Sequence, residues 1–381
     1  MTASRRSLPR SLAPAGTAHA IVATNGPDLA VIRDDVRAIA AYPVADATGL
    51  IKLDAMENPY RLSDPLAAEL ATRLSQIALN RYPPAQPREF KSALAAAIDL
   101  PAGCSLLLGN GSDELIHLLI QACARPGASV LSPSPSFVMY ELSARFNQCQ
   151  FIAVPLNGQL QLDRDAMLAA VRARRPGLTF VAYPNNPTGT LFERAAIEEI
   201  IAAAAPGLVV VDEAYLPFAQ DTWLPQLALW PNLLVLRTLS KLGLAGIRLG
   251  YLAGDAAWIA EFDKVRPPYN VNVLTLAAAQ FALEHLAELD AQAALVRGER
   301  QRVLAALRAT PGVAAYDSAA NFILFRLLRA SADTVFAGLK ASGILIKNVA
   351  HMHQLLAGCL RATVGTPAEN DAFLRALSAL V

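Results

Sequence analysis

The sequence predicts an α/β protein with a large domain built on a mostly parallel sheet, followed by a smaller α+β domain. Three observations carry this expectation. Short apolar runs bounded by turn residues alternate with helical stretches between about residues 104 and 253. Runs such as Leu208–Val211 are apolar at every position rather than at every second one, as expected of strands covered on both faces. From Val273 onward the alternation gives way to long helical periodicity and then to a mixed segment.

Taken in order, residues 1–40 read as a flexible tail and 41–76 as an arm joining the smaller domain. The tail opens with arginines and no acid, a composition shared by transit peptides and plain basic tails; the plain tail is the reading taken. Residues 77–272 form the expected large domain. Helices are predicted over 65–78 and 88–98, on either side of the turn-rich loop 80–84. Strands follow at 104–108, 129–131, 151–154, 178–183, 208–211, 233–237 and 249–253, with helices at 113–124, 163–174 and 194–204. In the smaller domain, 273–381, helices reach about residue 306. Strands at 322–326, 344–347 and 359–363 then accompany helices at 332–341 and 370–380.

Composition narrows the function. With 33 cationic and 32 anionic side chains in 381 residues, neither a nucleic-acid nor a membrane partner is indicated, and small-molecule substrates are expected. The four cysteines (Cys104, Cys123, Cys149 and Cys359) show no CxxC pair and no metal-ligand spacing, so they read as reduced thiols and no metal is expected. The longest apolar candidate, 242–260, is interrupted by Arg248 and Asp255, and a cytoplasmic location is expected.

Four segments that each follow a predicted strand bear chemistry. Lys241 lies between a strand and a glycine-containing turn, where burial would lower its pKa and free its amine for attack on a carbonyl. Asp212 closes the apolar run before it, at the strand end where ligands bind in parallel sheets, with Tyr215 three residues on. Asn186 sits in the turn Tyr-Pro-Asn-Asn-Pro-Thr-Gly at 183–189. Ser112 and Asp113 follow a glycine turn and open a helix, whose free N–H groups suit a phosphate. Alone, each has an ordinary reading: a surface lysine, a turn cap, an Asn-Pro turn, a helix N-cap. In one order on one sheet they supply an amine, an anion for a ring nitrogen, two partners for a phenolic oxygen and a phosphate cradle.

On these residues the chain resembles the fold-type I, class II aminotransferases, from about Tyr42 to the C-terminus. The resemblance implies a seven-stranded-type sheet and pyridoxal 5'-phosphate (PLP) held as a Schiff base on Lys241. Asp212 would pair with the pyridinium nitrogen, and Asn186 and Tyr215 would contact its phenolic oxygen. Ser112, Asp113, Ser240 and Arg248 would hold the phosphate, and Phe137 would stack on the ring. The segments 80–83, 109–114, 317–322 and 358–366 resemble the histidinol-phosphate branch of that family. This implies exchange of an amino group between L-histidinol phosphate and 2-oxoglutarate, with L-glutamate as the other product. It also implies a homodimer in which Tyr82 reaches the partner's cofactor phosphate. Arg361, Tyr42, Asn321 and Lys347 would bind substrate. Two departures stand out: one residue fewer between Lys241 and Arg248 than the family usually has, and lysine rather than arginine at 347, which keeps the charge but not the bidentate fork. The alternatives are another amino-acid aminotransferase, a threonine-phosphate decarboxylase-like lyase, or a non-catalytic PLP-sensing regulator.

Overall fold

The computed structural model describes residues 27, 29–41 and 44–381. Contacts separate the stretch up to Val44 from a compact unit, Ala45–Val381. In the first stretch Asp34–Arg37 forms one helical turn, and Arg33 pairs with Asp35 at 2.8 Å. Most of the tail expected at 1–40 lies outside the described residues, and so does Tyr42.

The compact unit begins with a short arm strand, β1 (Ile51–Lys52). The strands of the large sheet follow: β2 (Cys104–Asn110), β3 (Ser129–Ser134), β4 (Gln150–Pro155), β5 (Leu178–Ala182), β6 (Leu208–Asp212), β7 (Leu233–Thr238) and β8 (Leu249–Asp255). Their spatial order is β2-β8-β7-β6-β5-β3-β4, and β8 runs antiparallel to both of its neighbours while the other pairs are parallel. Every residue of β5, β6 and β7 is buried, which explains their largely apolar sequences; the polar residues are Thr179 in β5, Asp212 at the end of β6, and Arg237 and Thr238 at the end of β7.

Because side chains alternate across a strand, the two faces feed two separate cores. Val209 and Val211 of β6 join Leu233 and Val235 of β7 on one face, under helices Arg164–Arg174 and Arg194–Ala204. Leu208, Val210, Leu234 and Leu236 point to the other face, under helices Ser112–Cys123, Met139–Phe146 and Ala256–Asp263. Helix Ser112–Cys123 buries Leu115, Ile116, Leu119 and Ile120, the i, i+1, i+4, i+5 spacing of one helix face. Each such side chain contributes roughly 1.5–3 kcal/mol relative to exposure. The helices Met139–Phe146 and Ala256–Asp263 were not expected from the sequence; the first follows β3 after four residues, and the second continues directly from β8.

The second sheet contains β9 (Val313–Ala315), β10 (Phe322–Leu327), β12 (Lys347–Asn348) and β13 (Cys359–Thr363), all antiparallel in the order β12-β13-β10-β9. The strand expected over 344–347 is instead two. β11 (Ile344–Leu345) pairs in parallel with the arm strand β1, whereas β12 pairs with β13. The change of partner falls at buried Ile346. Helix Val273–Glu284 places Ala279 and Ala282 in the large-sheet core. Helix Leu286–Ala309 buries Leu289 in that same core, but Ala293, Val296, Val303 and Leu307 in the core of the second sheet.

The alternation along β6 has one further consequence. Asp212 falls on the face of Leu208 and Val210, and Glu213 on the opposite one, toward Arg237. The Glu213–Arg237 pair is buried at 2.8 Å and completed by Thr222, the Trp223 amide and the Tyr251 hydroxyl. Burial pushes the Glu213 carboxyl up, and Arg237 opposes the shift. Removing one partner of a buried pair strands the other, at a cost of about 3–5 kcal/mol. Glu213→Ala is therefore expected to lose about that much stability, read as a lowered urea midpoint; an unchanged midpoint would refute the account.

Candidate active site

The ends of the parallel strands converge on a cavity of about 100 Å³. From the strand ends, Ser112 and Asp113 follow β2, Phe137 follows β3, Asn186 follows β5, Asp212 ends β6, and Ser240 and Lys241 follow β7. Tyr215, Arg248, Tyr140 and Met56 complete this part of the lining.

One end suits a dianion. The turn expected at 109–112 is tighter than the sequence indicated, because Gly109 and Asn110 remain in β2 and Gly111 alone makes the connection, with φ +80°. A Cβ at Gly111 would lie 2.5 Å from Nη2 of Arg248, so the glycine is what lets the guanidinium approach. Arg248 donates to Ser240 Oγ at 3.4 Å and pairs with Asp113 at 3.3 Å. It adopts the left-handed conformation (φ +53°), unusual for a bulky residue, as the turn delivers it to the helix N-terminus at Ser112. N–H groups at that terminus, a hydroxyl and a guanidinium therefore meet at one point.

At the other end lies the amine. Lys241 Nζ donates to the Ala55 carbonyl at 3.2 Å and stands 5.8 Å from the Tyr215 ring. Burial, with Arg361 nearby, lowers its pKa to about 8. Between the two ends, Asp212 is buried and accepts from the Ala214 amide at 3.0 Å and the Tyr140 hydroxyl at 2.7 Å. Burial raises its carboxyl to about 6, against the pull of those two donors. The strand-end anion, the amine, the glycine cradle and a flat apolar wall at Phe137 thus fit a phosphorylated aromatic aldehyde.

Arg361 approaches from the second sheet. It donates to Asn186 Oδ1 at 2.5 Å and to the Asp54 carbonyl at 2.9 Å, and lies 5.2 Å over the Phe322 ring. Asn321 donates to the Met56 carbonyl at 2.9 Å, which joins it to the cavity wall from behind. Lys347 is placed directly opposite Arg361 in the β12–β13 register, but does not line the cavity. Tyr82 does not line it either; it is 81% exposed and stacks on Tyr269 at 4.7 Å beside a separate cleft.

Tyr140 and Met56 are among the lining residues not marked in the sequence. Tyr140 follows Phe137 by three residues, and a tyrosine in an apolar helix face needs a partner for its hydroxyl, which was the available signal. Met56 carries no such mark. Its left-handed backbone (φ +53°) is set by Thr363 and Asn321, which are distant in sequence.

The family model described as aminotransferase class I and II matches residues 48–377. The chain belongs to that family. It is 59% identical over 347 residues to histidinol-phosphate aminotransferase 2 of Burkholderia pseudomallei, covering 91% of this chain and 97% of the relative. It is 56% identical over 353 residues to histidinol-phosphate aminotransferase 2 of Cupriavidus pinatubonensis, covering 92% and 96%. Among solved structures, the histidinol-phosphate aminotransferase of Sinorhizobium meliloti in complex with pyridoxal-5'-phosphate shares the fold, with a TM-score of 0.80, 24% identity and coverage of 91% and 96%. The L-threonine-O-3-phosphate decarboxylase of Porphyromonas gingivalis shares it at a TM-score of 0.73 and 22% identity, over 87% and 99%. As an aminotransferase, this chain has in Lys241 a partly buried lysine on the wall of its cavity.

The environment of Lys241 makes a measurable difference. In cofactor-free protein, labelling of its amine by a small neutral electrophile should rise through about pH 8 and level off above it. A midpoint at the ordinary 10.5 would show that burial does not act on this amine.

Proposed function

We propose that the chain is a PLP-dependent aminotransferase. It interconverts L-histidinol phosphate plus 2-oxoglutarate with 3-(imidazol-4-yl)-2-oxopropyl phosphate plus L-glutamate, in L-histidine biosynthesis. The observation that carries this reading is 59% identity across 91% of the chain to a histidinol-phosphate aminotransferase, in a protein whose cavity joins a depressed-pKa lysine to a dianion cradle.

When bound, the cofactor supplies a carbonyl for the amino group and a ring able to accept the electron pair left at the substrate Cα. The chain's residues supply the rest. Lys241 would hold the cofactor through its amine, and that amine, once free, would be the group that takes up the proton lost from the substrate Cα. Asp212 would pair with the ring nitrogen and favour its protonated form. Asn186 and Tyr215 address the phenolic oxygen; with Asn186 Oδ1 engaged by Arg361, its Nδ2 is the group left to donate. Ser112 and Asp113, through their amides, and Ser240 and Arg248, through their side chains, would hold the phosphate, and Phe137 would stack on the ring. Arg361 binds the glutamate carboxylate. Lys347, cross-strand from Arg361, adds positive charge for the phosphate of the other substrate, and Asn321 borders that substrate's pocket.

Two further parts of the reading concern assembly and location. We propose a homodimer in which Tyr82 enters the partner's site. This is supported by the exposure of Tyr82 next to exposed Leu79 and Tyr269, an aromatic and aliphatic surface of the kind a partner covers. Light scattering should give twice the chain's 40.5 kDa; a monomeric mass would refute it. We also propose that the enzyme is cytoplasmic; among the described residues no helix is long and apolar enough to cross a membrane.

The substrate is tested by mixing the yellow holoenzyme with L-histidinol phosphate or L-phenylalanine and following loss of cofactor absorbance. L-Histidinol phosphate should react faster, and the reverse order would reassign the substrate. Carbon dioxide release without 2-oxoglutarate, from a phosphorylated amino acid, would identify a lyase instead. Lys241→Ala should lose about 10²–10⁴-fold or more in turnover, the range of a lost acid–base group. Arg361→Ala should lower kcat/KM for glutamate by roughly 10–100-fold, the equivalent of one lost charged hydrogen bond.

A further inference from the structure

Tyr140 is 0% exposed, in the helix Met139–Phe146 that follows β3. Its ring stacks on Phe180 of β5 at 4.6 Å and meets Phe137 edge-on at 5.7 Å. These contacts fix the ring, so its hydroxyl has little freedom in choosing a partner. It donates to Asp212 Oδ2 at 2.7 Å, while the Ala214 amide donates to Oδ1. Each oxygen of the carboxylate is thus held by one donor, and lone-pair sites remain for a ligand in the cavity.

We infer that Tyr140 is a positioning residue for amino transfer: its hydroxyl orients the Asp212 carboxylate and keeps the proton shared with the cofactor on the ring nitrogen. The inference rests on the proposed pairing of Asp212 with that nitrogen. One proton lies between two bases, the carboxylate and the ring nitrogen. A donor to the carboxylate weakens it as a base, so the proton stays on the ring and the ring stays cationic. Without the donor, the carboxylate competes better for the proton, the ring becomes neutral, and it accepts electrons from Cα less readily. The surroundings make this contest close. Burial, Asp113 from the helix after β2 and neighbouring Glu213 all favour protonation of Asp212. Tyr140 and the Ala214 amide oppose them, and the Tyr215 hydroxyl and Lys241 amine share the same cavity.

The test is Tyr140→Phe, which keeps the buried ring and removes one oxygen. Cofactor-free protein carrying ¹³C-carboxyl aspartate is titrated by NMR, with the Asp212 signal assigned by its absence in Asp212→Asn. The Asp212 midpoint is expected to move up by about one pH unit, the order of a charge-assisted hydrogen bond. With ¹⁵N-labelled cofactor, the ring-nitrogen resonance of the variant should move from the pyridinium toward the neutral position. Steady-state kcat should fall about tenfold while KM for glutamate changes little. Phe262→Leu opens the same core from the helix Ala256–Asp263 but keeps Tyr140 and its ring contacts, and should leave the Asp212 midpoint in place, which separates the hydrogen bond from general packing. An Asp212 midpoint that is unchanged in Tyr140→Phe, with far-UV circular dichroism unaltered, would overturn the inference. A midpoint that moves while the ring nitrogen does not would confirm the hold of Tyr140 on Asp212 and overturn the pairing of Asp212 with the cofactor.

Discussion

Two carboxylates side by side at the end of β6 must both be kept out of water, and the sheet solves this by sending them to opposite faces. Glu213 meets a guanidinium on one side, while Asp212 meets only hydroxyl and amide donors on the other. The asymmetry is functional. A carboxylate neutralised by a cation would have little charge to offer a ligand, whereas one held by neutral donors keeps its charge for the cavity. The Glu213–Arg237 pair, for its part, anchors the 222–223 turn under the strand end through Thr222 and the Trp223 amide. The cavity floor thus depends on the strict two-residue period of a buried strand.

The arm ties this floor to the second sheet. β1 adds to β11, the Leu53 carbonyl accepts from the Thr363 amide, and the carbonyls of Asp54, Ala55 and Met56 accept from Arg361, Lys241 and Asn321. Three successive backbone acceptors therefore serve three side chains from widely separated parts of the chain. This explains why a methionine is held in a left-handed conformation here: the carbonyl directions are fixed by their partners, and the backbone follows.

Much of this was legible in the sequence, for identifiable reasons. Unbroken apolar runs gave the buried strands, and Asp212, Asn186, Lys241 and Ser112 could be marked because each closes or follows such a run. That signal is local. What lay beyond it depended on distant partners. Residues 344–347 read as one strand, yet they split because two different strands compete for them. Gly109 reads as a turn glycine but stays in β2, paired with Gly250, where a Cβ would collide with Leu115. Tyr140 and Met56 owe their places to Asp212, Thr363 and Asn321, and no spacing within their own segments encodes those contacts.

The engagement of Arg361 by Asn186 and the Asp54 carbonyl bears on how one cavity serves two unlike guests. An arginine reserved for a carboxylate becomes a liability whenever the visitor lacks one, because a desolvated cation without acceptors is costly. Here the protein provides its own surrogate acceptors. If Arg361 receives the glutamate carboxylate as proposed, that guest would take over from these acceptors, and a guest without a carboxylate would leave the guanidinium with the partners its own fold supplies.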